Sequence, residues 1–153
     1  MYVVKNEYEA LVKKNHTSLY RLLFTYCGNR PDAEDVLQTA YLKLLCSKKV
    51  FLSEEHAKNW LYKVAVNCAK DLRRNKWNQT EALDETLPFE EEWQLPLYES
   101  IRGLDEKYRM VILLYYYAGY SVKEIGQMLH VKESTVQTRL QRGREKLRKE
   151  LED

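Results

Sequence analysis

The stretch from Ser121 to Arg148 constrains this chain more than any other part of it. It reads as two helices on either side of a short turn: Ser121 to Leu129, then His130-Val131-Lys132, then Glu133 onward. Ser121 and Glu124 have the spacing of a capping box, in which each residue satisfies the other's backbone N–H, so a helix starts there. Ile125, Met128 and Leu129 give that helix one apolar face. Gly126 lies in its interior, where glycine costs about 1 kcal/mol relative to alanine. A small residue at that point lets a second helix cross closely, as a tight helix-turn-helix requires. In the second helix Val136, Leu140 and Leu147 face inward, with Gly143 between the last two. Gln137, Thr138, Gln141 and Arg142 fall off that face near its N-terminal half. That end reaches base edges when such a helix lies in the major groove, and Gln, Arg and Thr are side chains that read them. From Lys132 to Lys149 there are seven Lys/Arg against two Glu. A basic amphipathic helix alone would read as a solvated surface. The capping box, the short turn and the small residue together favour a DNA-reading motif.

The rest of the composition points to helices throughout. Five Gly and three Pro in 153 residues, with few strand-like alternations, predict an all-α chain. The longest apolar run, Met110 to Tyr120, is far short of the roughly 20 residues that span a bilayer. The N-terminus has no apolar stretch of signal-peptide length, so a cytoplasmic protein without membrane insertion is expected. Cys27, Cys46 and Cys68 are far apart and odd in number. Neither a disulfide framework nor a metal site is indicated, and buried free thiols are expected.

The formal net charge of +2 conceals a strong segregation. Residues 1–76 carry fourteen Lys/Arg and eight Asp/Glu. Residues 77–100 carry seven acidic side chains and no Lys or Arg. Residues 101–153 carry eleven basic and eight acidic. Two basic blocks around an acidic strip form a domain–linker–domain pattern, and both ends are candidates for contact with nucleic acid.

Helical spacing predicts a first helix over about 5–27 and a second over about 32–46, with Pro31 near its first turn. A third runs over about 54–76, with Trp60, Leu61, Val64, Ala65 and Cys68 as its stripe. The residues between, 47–53, read as a basic loop that exposes an aromatic. Residues 77–95 break the periodicity, punctuated by Pro88 and Pro96. Fully extended, 19 residues reach roughly 60 Å, enough to hold two DNA-reading modules more than a helical turn apart. Leu97 to Arg102 follow, and a helix over about 105–118 leads into the helix-turn-helix. On the 105–118 helix, Tyr108, Val111, Ile112, Leu114 and Tyr115 are expected on the inner side.

No enzyme constellation is present: no Gly-rich phosphate loop, no HExxH, no paired CxxC. His16, His56 and His130 form no triad-like arrangement, and no cofactor or metal is expected. The chain therefore reads as non-enzymatic.

Three passages converge on a family. They are Asp32-Ala-Glu-Asp-Val-Leu-Gln-Thr-Ala-Tyr-Leu-Lys-Leu44, Trp60-Leu-Tyr-Lys-Val-Ala-Val-Asn-Cys-Ala-Lys-Asp-Leu-Arg-Arg74, and Leu104-Asp-Glu-Lys-Tyr-Arg-Met-Val-Ile-Leu-Leu114 running into the helix-turn-helix. In order and spacing they resemble the extracytoplasmic-function (ECF) group of bacterial sigma factors, in the sigma-70 family. The resemblance covers nearly the whole chain apart from the linker. It implies an initiation subunit of RNA polymerase with two small helical domains, 1–76 and 96–153, joined by the flexible acidic segment 77–95. The first, like the family's region 2, is expected to bind core enzyme and open the −10 element. The second, like region 4, is expected to read the −35 element.

The resemblance also distributes roles. Asp35, Gln38 and Leu42 share a helix face (i, i+3, i+7) and would meet the clamp helices of the largest polymerase subunit. Thr39, on the same surface, replaces the acidic residue usual there. Region 4 would meet the flap of the second-largest subunit. At the −10 element a base must leave the stack at a cost of a few kcal/mol, offset by basic and stacking groups. Lys48, Phe51 and Asn67 match the family's base-capturing pocket, while Lys63, Lys70, Arg73 and Arg74 would bind phosphates. At the −35 element Gln137, Thr138, Gln141 and Arg142 would lie on or near bases and Arg139, Arg144 and Lys146 on phosphates, with Thr135 also among the DNA-binding residues. Gln137 and Gln141 would favour adenine, which glutamine binds bidentately. Lys132 stands where many relatives have a serine cap, leaving Ser134 as a substitute. The acidic segment is either a nucleic-acid mimic threading the polymerase's RNA channels or a solvated spacer. The implied partners are core RNA polymerase, promoter DNA and an anti-sigma factor. Two other classes are a stand-alone helix-turn-helix regulator and a pure protein-interaction module. The two basic blocks and the groove-facing Gln/Arg pattern argue against the second.

Overall fold

The computed structural model describes residues 4–77 and 97–152, and every regular element among them is helical. Residues 78–96, and with them the reading of the acidic segment 77–95 as mimic or spacer, lie outside the described residues. Three long helices come first: α1 (Val4–Cys27), α2 (Arg30–Cys46) and α3 (Glu54–Trp77). They form a bundle in which each packs on the other two. Leu11, Leu19, Leu22 and Leu23 of α1 meet Leu44 of α2 and Leu61 and Val66 of α3 in a fully buried core. The α1–α2 joint is set locally. Gly28 adopts φ +84°, a left-handed conformation that costs glycine little. The Asn29 side chain then accepts from the Asp32 backbone N–H at 2.9 Å, capping α2 just ahead of Pro31.

The second group comprises α4 (Tyr98–Arg102), α5 (Glu106–Ile112), α6 (Val122–Leu129) and α7 (Glu133–Glu152). The predicted single helix over 105–118 is interrupted. Leu113–Tyr117 forms a π-helical turn, with the Ala118 N–H bonded five residues back to the Leu113 carbonyl at 3.0 Å. The wider turn keeps Leu113 and Leu114 buried while Tyr115 and Tyr116 swing outward. Tyr115 is thus on the outer side, a correction to its expected inward position.

The helix-turn-helix follows its sequence closely. The Ser121 hydroxyl accepts from the Glu124 N–H at 3.1 Å, and the Glu124 carboxylate accepts from the Ser121 N–H at 3.0 Å. His130 ends α6 in the left-handed region, φ 58°. Gly126 is needed at the turn: a Cβ there would lie 2.9 Å from the Val131 carbonyl oxygen. The close approach is to the turn backbone rather than to the second helix itself. Val136, Leu140 and Gly143 are buried, as their spacing predicts, and Leu147 is half-buried. Helix α7 begins at Glu133, so Ser134 lies inside its first turn and cannot be its N-cap. Lys132 takes that place, its carbonyl accepting from the Val136 N–H at 3.2 Å.

The two groups pack against one another through α1 and α3, and their cores form one continuous apolar cluster. Phe24 stacks on Tyr98 with ring centroids 5.8 Å apart. The guanidinium of Arg102 lies so close over Gly28 that a Cβ there would clash with it. Buried Arg109 donates to the carbonyls of Tyr26, Arg102 and Leu104, binding α5 to the C-terminal end of α1. Burial, with Arg102 and Arg73 nearby, lowers its pKa to about 10 despite the opposing pull of Glu106 and Tyr26.

Candidate polymerase and promoter surfaces

Helix α2 divides sharply into two faces. Ala33, Val36, Leu37, Ala40 and Leu44 are buried, whereas Asp35, Gln38, Thr39 and Leu42 are all exposed. The four sequence-predicted residues therefore form one solvent-facing strip with a mixed polar and apolar character. Leu42 is 54% exposed, as Leu45 is at 46% further along the same helix. Beside Leu42, Tyr8, His16, Tyr20 and Tyr41 wall a shallow groove of about 360 Å³ between α1 and α2. The His16 ring nitrogen lies 3.0 Å from the Tyr41 hydroxyl.

The loop between α2 and α3 departs from expectation. Phe51 is only 1% exposed, packed edge-on against His56 and tilted against Trp60. Removing a phenyl ring from water is worth about 1.5–3 kcal/mol, and Trp60 supplies the surface to do it. Phe51 in this arrangement is a core residue, a correction to its reading as an exposed stacking group. The loop instead exposes Val50 and Leu52, with Lys48 and Lys49 beside them. Of the cysteines, Cys27 is buried and Cys68 half-buried, but Cys46 is exposed, a further correction. All three are free thiols.

On α3, Lys63, Asn67, Lys70 and Arg74 follow one another at i, i+4, i+7 and i+11, and so share a face. That face turns toward the helix-turn-helix. The Asn67 side-chain amide donates to the Met128 carbonyl at 3.2 Å and to the Lys63 carbonyl at 2.8 Å. Lys63 lines a groove with Gly126, His130 and Lys132. Arg73 Nε donates to Glu106 at 2.7 Å, both side chains being largely sheltered. The Tyr120 hydroxyl donates to the Asn59 side chain at 3.0 Å. Residues expected at the −10 element are thus brought against the unit expected at the −35 element.

Helix α7 presents Gln137, Thr138, Gln141 and Arg142 outward, all exposed. Gln141 is within 3.4 Å of Glu145, and the Thr138 hydroxyl donates back to the Ser134 carbonyl at 3.0 Å. The Arg142 guanidinium beside the Tyr108 hydroxyl holds that phenol below its ordinary range. Thr135 and Arg139 are half-buried, and Arg139 turns toward α3. Arg144 donates to the Tyr116 hydroxyl at 2.9 Å, and Lys146 lies 3.7 Å from Asp105 and over the Tyr108 ring. The last two therefore lean toward α5 and the π-helical turn rather than outward with the glutamines. Sequence reasoning missed Glu106, Lys107 and Arg109 as participants. Their one signal was a run of charge interrupting an otherwise apolar helix pattern.

Among the described residues no group of His, Cys, Asp and Glu is arranged to hold a metal ion. No described helix is long and apolar enough to cross a membrane.

Comparison with known proteins agrees with this architecture. The family model for sigma-70 region 2 matches residues 11–79, and that for sigma-70 region 4 matches residues 94–147. The ECF RNA polymerase sigma factor SigW of Bacillus subtilis is 34% identical, over 88% of this chain and 83% of its own length. RNA polymerase sigma factor SigV of the same organism is 31% identical, over 86% and 83%. The fold is similar to that of the sigma factor RpoE in complex with the anti-sigma factor NepR from Bartonella quintana. There the TM-score is 0.69 at 16% identity, covering 95% of this chain and 97% of that one. It is also similar to CnrH in complex with the cytosolic domain of CnrY, with TM-score 0.67 at 20% identity, covering 94% and 86%. Two region matches in order, a helix-turn-helix with an outward Gln/Arg face and relatives above 30% identity over most of the chain place it in the ECF group of the sigma-70 family: it is an alternative sigma factor, which directs RNA polymerase to promoters.

Proposed function

We propose that the residues on α2, α3 and α7 divide the work of initiation as the family's regions do. Residues 1–76 form the unit that meets core enzyme and the −10 element, and residues 96–153 the unit that meets the −35 element and the polymerase flap. Asp35, Gln38, Thr39 and Leu42 take the clamp helices of the largest subunit. Their joint exposure beside a buried opposite face supports this, because a protein partner wants a mixed surface of this kind. Asn67 captures an extruded base with Lys48 beside it in the pocket, and Lys63, Lys70, Arg73 and Arg74 lie on the backbone. Gln137, Thr138, Gln141 and Arg142 read base edges, with Thr135, Arg139, Arg144 and Lys146 alongside as positioning contacts. The protein performs no chemistry itself and works in the cytoplasm, where polymerase and promoters are. An anti-sigma factor is a natural partner, since the similarly folded sigma factor RpoE has been seen bound to the anti-sigma factor NepR.

The observation that carries this reading is the seam between α3 and α6. The −10 and −35 elements are named for positions about 25 base pairs apart, some 85 Å at 3.4 Å per pair. Asn67 lies 3.2 Å from the Met128 carbonyl. The packed arrangement cannot serve both elements at once, so promoter engagement requires α3 and the helix-turn-helix to part. Twenty residues separate the end of α3 from the start of the second group and reach at most about 70 Å, which suffices once each unit has its own width.

The test is run-off transcription with purified core RNA polymerase on fragmented genomic DNA of the host, with and without this protein. New start sites sharing two upstream elements are expected. Absence of both new starts and core binding would overturn the assignment in favour of a regulator that binds duplex DNA alone.

A further inference from the structure

A cleft of about 390 Å³ lies where α3 meets α5, α7 and the turn of the helix-turn-helix. Lys70, Arg73 and Arg74 enter it from α3, Lys107 from α5 and Arg139 from α7. Glu106, the carboxylate in the lining, is bonded to Arg73 at 2.7 Å. Lys70, Arg74, Lys107 and Arg139 therefore converge from three helices with no second carboxylate between them among the described lining residues. The Lys70 ammonium is held below its ordinary range, first by burial, then by Arg139 and Arg74, while Asp71 on its own helix pulls the other way. An anion placed here would relieve that crowding.

The floor is of a different character. Met110 and Leu129 are buried, Val131 is half-buried, and the Tyr26 ring closes one side. A concave site of this size, apolar beneath with a few convergent polar groups, is the form of a small-molecule pocket. It is too narrow for a duplex, which would touch only its mouth. Guanidinium groups favour the bidentate geometry of phosphate, and cations from several helices suit a ligand with more than one phosphate. The apolar floor suits a planar ring.

We infer that this cleft binds a nucleoside polyphosphate, its phosphates among Lys70, Arg74 and Arg139 and its base over Met110 and Leu129, and that the ligand holds α3 against α7. The binding rests on the cleft alone. Its consequence for promoter access rests on the roles proposed above, because the same cations would otherwise meet DNA phosphates.

The test is calorimetric titration of the full chain with ATP and GTP, with pyrophosphate and inorganic phosphate as separate probes. One-to-one binding of a nucleoside triphosphate is expected, at least tenfold tighter than pyrophosphate. The double substitution Lys70→Gln with Arg139→Gln should weaken it at least tenfold, and Lys70→Arg with native Arg139 should retain it. Arg148→Gln, on exposed α7 outside the cleft, should change it less than twofold. Circular dichroism melts establish that each variant is folded. No binding at millimolar concentration overturns the proposal. Pyrophosphate binding as tightly removes the nucleoside. Equal weakening by Arg148→Gln means diffuse attraction to a basic surface and not a site. Small-angle X-ray scattering with ligand should show no expansion, and an increased radius would overturn the bridging of α3 to α7. Because binding is measured on the free protein, a negative result here leaves the transcription test untouched, and the reverse holds too.

Discussion

The side-chain amide of Asn67 donates a hydrogen bond to the main-chain carbonyl of Met128, 61 residues further along the chain. A group suited to hold a flipped base is thereby occupied by the C-terminal end of α6. Asn67→Ala is expected to impair strand opening while core binding stays intact. Permanganate reactivity of the −10 thymines and a pull-down of core enzyme separate the two effects. Loss of core binding instead would make Asn67 structural.

Arg142 stands on the exposed side of α7 with Gln141 and Thr138. Arg142→Ala should weaken −35 recognition by about 1–3 kcal/mol if the guanidinium makes a bidentate base contact. The readout is transcription from a set of promoters varied at single −35 positions. The loss should concentrate at one or two positions, and a uniform loss would reassign Arg142 to the backbone.

Gly126 faces the Val131 carbonyl across the turn, 2.9 Å from where a Cβ would stand. Gly126→Ala gains about 1 kcal/mol in helix propensity. It must also displace backbone, at a cost of about 1–3 kcal/mol. Net destabilisation of about 1 kcal/mol is expected in chemical denaturation, together with weaker −35 binding. A more stable variant would mean that the turn relaxes freely.

Arg109 serves three carbonyls from a buried position. Arg109→Met keeps the volume of the stem and leaves those oxygens unpaired. Each buried orphan costs about 1–3 kcal/mol, and the loss should show as a lowered unfolding midpoint. Unchanged stability would mean that water replaces the guanidinium.

Alkaline pH should weaken the fold. Burial pushes the Cys27 thiol, first among its causes, from 9.0 up to about 12, and the Tyr62 phenol likewise from 10.0 to about 12. Tyr26, Tyr41 and Tyr120 move in the same direction. An acid with a raised folded pKa gives stability that is fully present below its unfolded value and lost as pH rises through the folded one. The window therefore opens near pH 9 and runs toward 12. Tyr8 and Tyr98 are raised as well, whereas Arg109, Lys70 and Tyr108 are lowered and act oppositely, three groups against seven. Denaturant midpoints measured from pH 8 to 10.5 should fall, and Cys27→Ala should flatten the first part of that slope. At pH 8, thiol reagents should label exposed Cys46 well before Cys27.

Periodicity made the helices readable because each has one face that must be dry. The capping box at Ser121 and the small residue at Gly126 made the turn readable too, since both act within a few residues. What stayed hidden depended on distant neighbours. Phe51 reads as a loop aromatic until Trp60 is seen to cover it. The π-helical turn adds one residue without changing composition, and so moves Tyr115 outward against the expected stripe. The meeting of Asn67 with Met128 and of Arg73 with Glu106 leaves no local trace, because each half looks like an ordinary polar helix surface. Sequence therefore indicated which side chains suit nucleic acid, but not that they face each other.

On the proposed division of labour, in which promoter engagement needs α3 and the helix-turn-helix to part, the Arg73–Glu106 bond and its companions along the seam would also set how much protein is ready to work. If together they favour the packed form by about 3 kcal/mol, fewer than about one molecule in a hundred stands open at any moment. Every ligand that needs the open form then binds weaker than its intrinsic affinity by that same fraction. A substitution in the seam that touches neither polymerase nor promoter would raise activity at low concentrations of factor and leave it unchanged at saturation. The strength of a few interior contacts would thus fix the cellular level at which this factor begins to compete for polymerase.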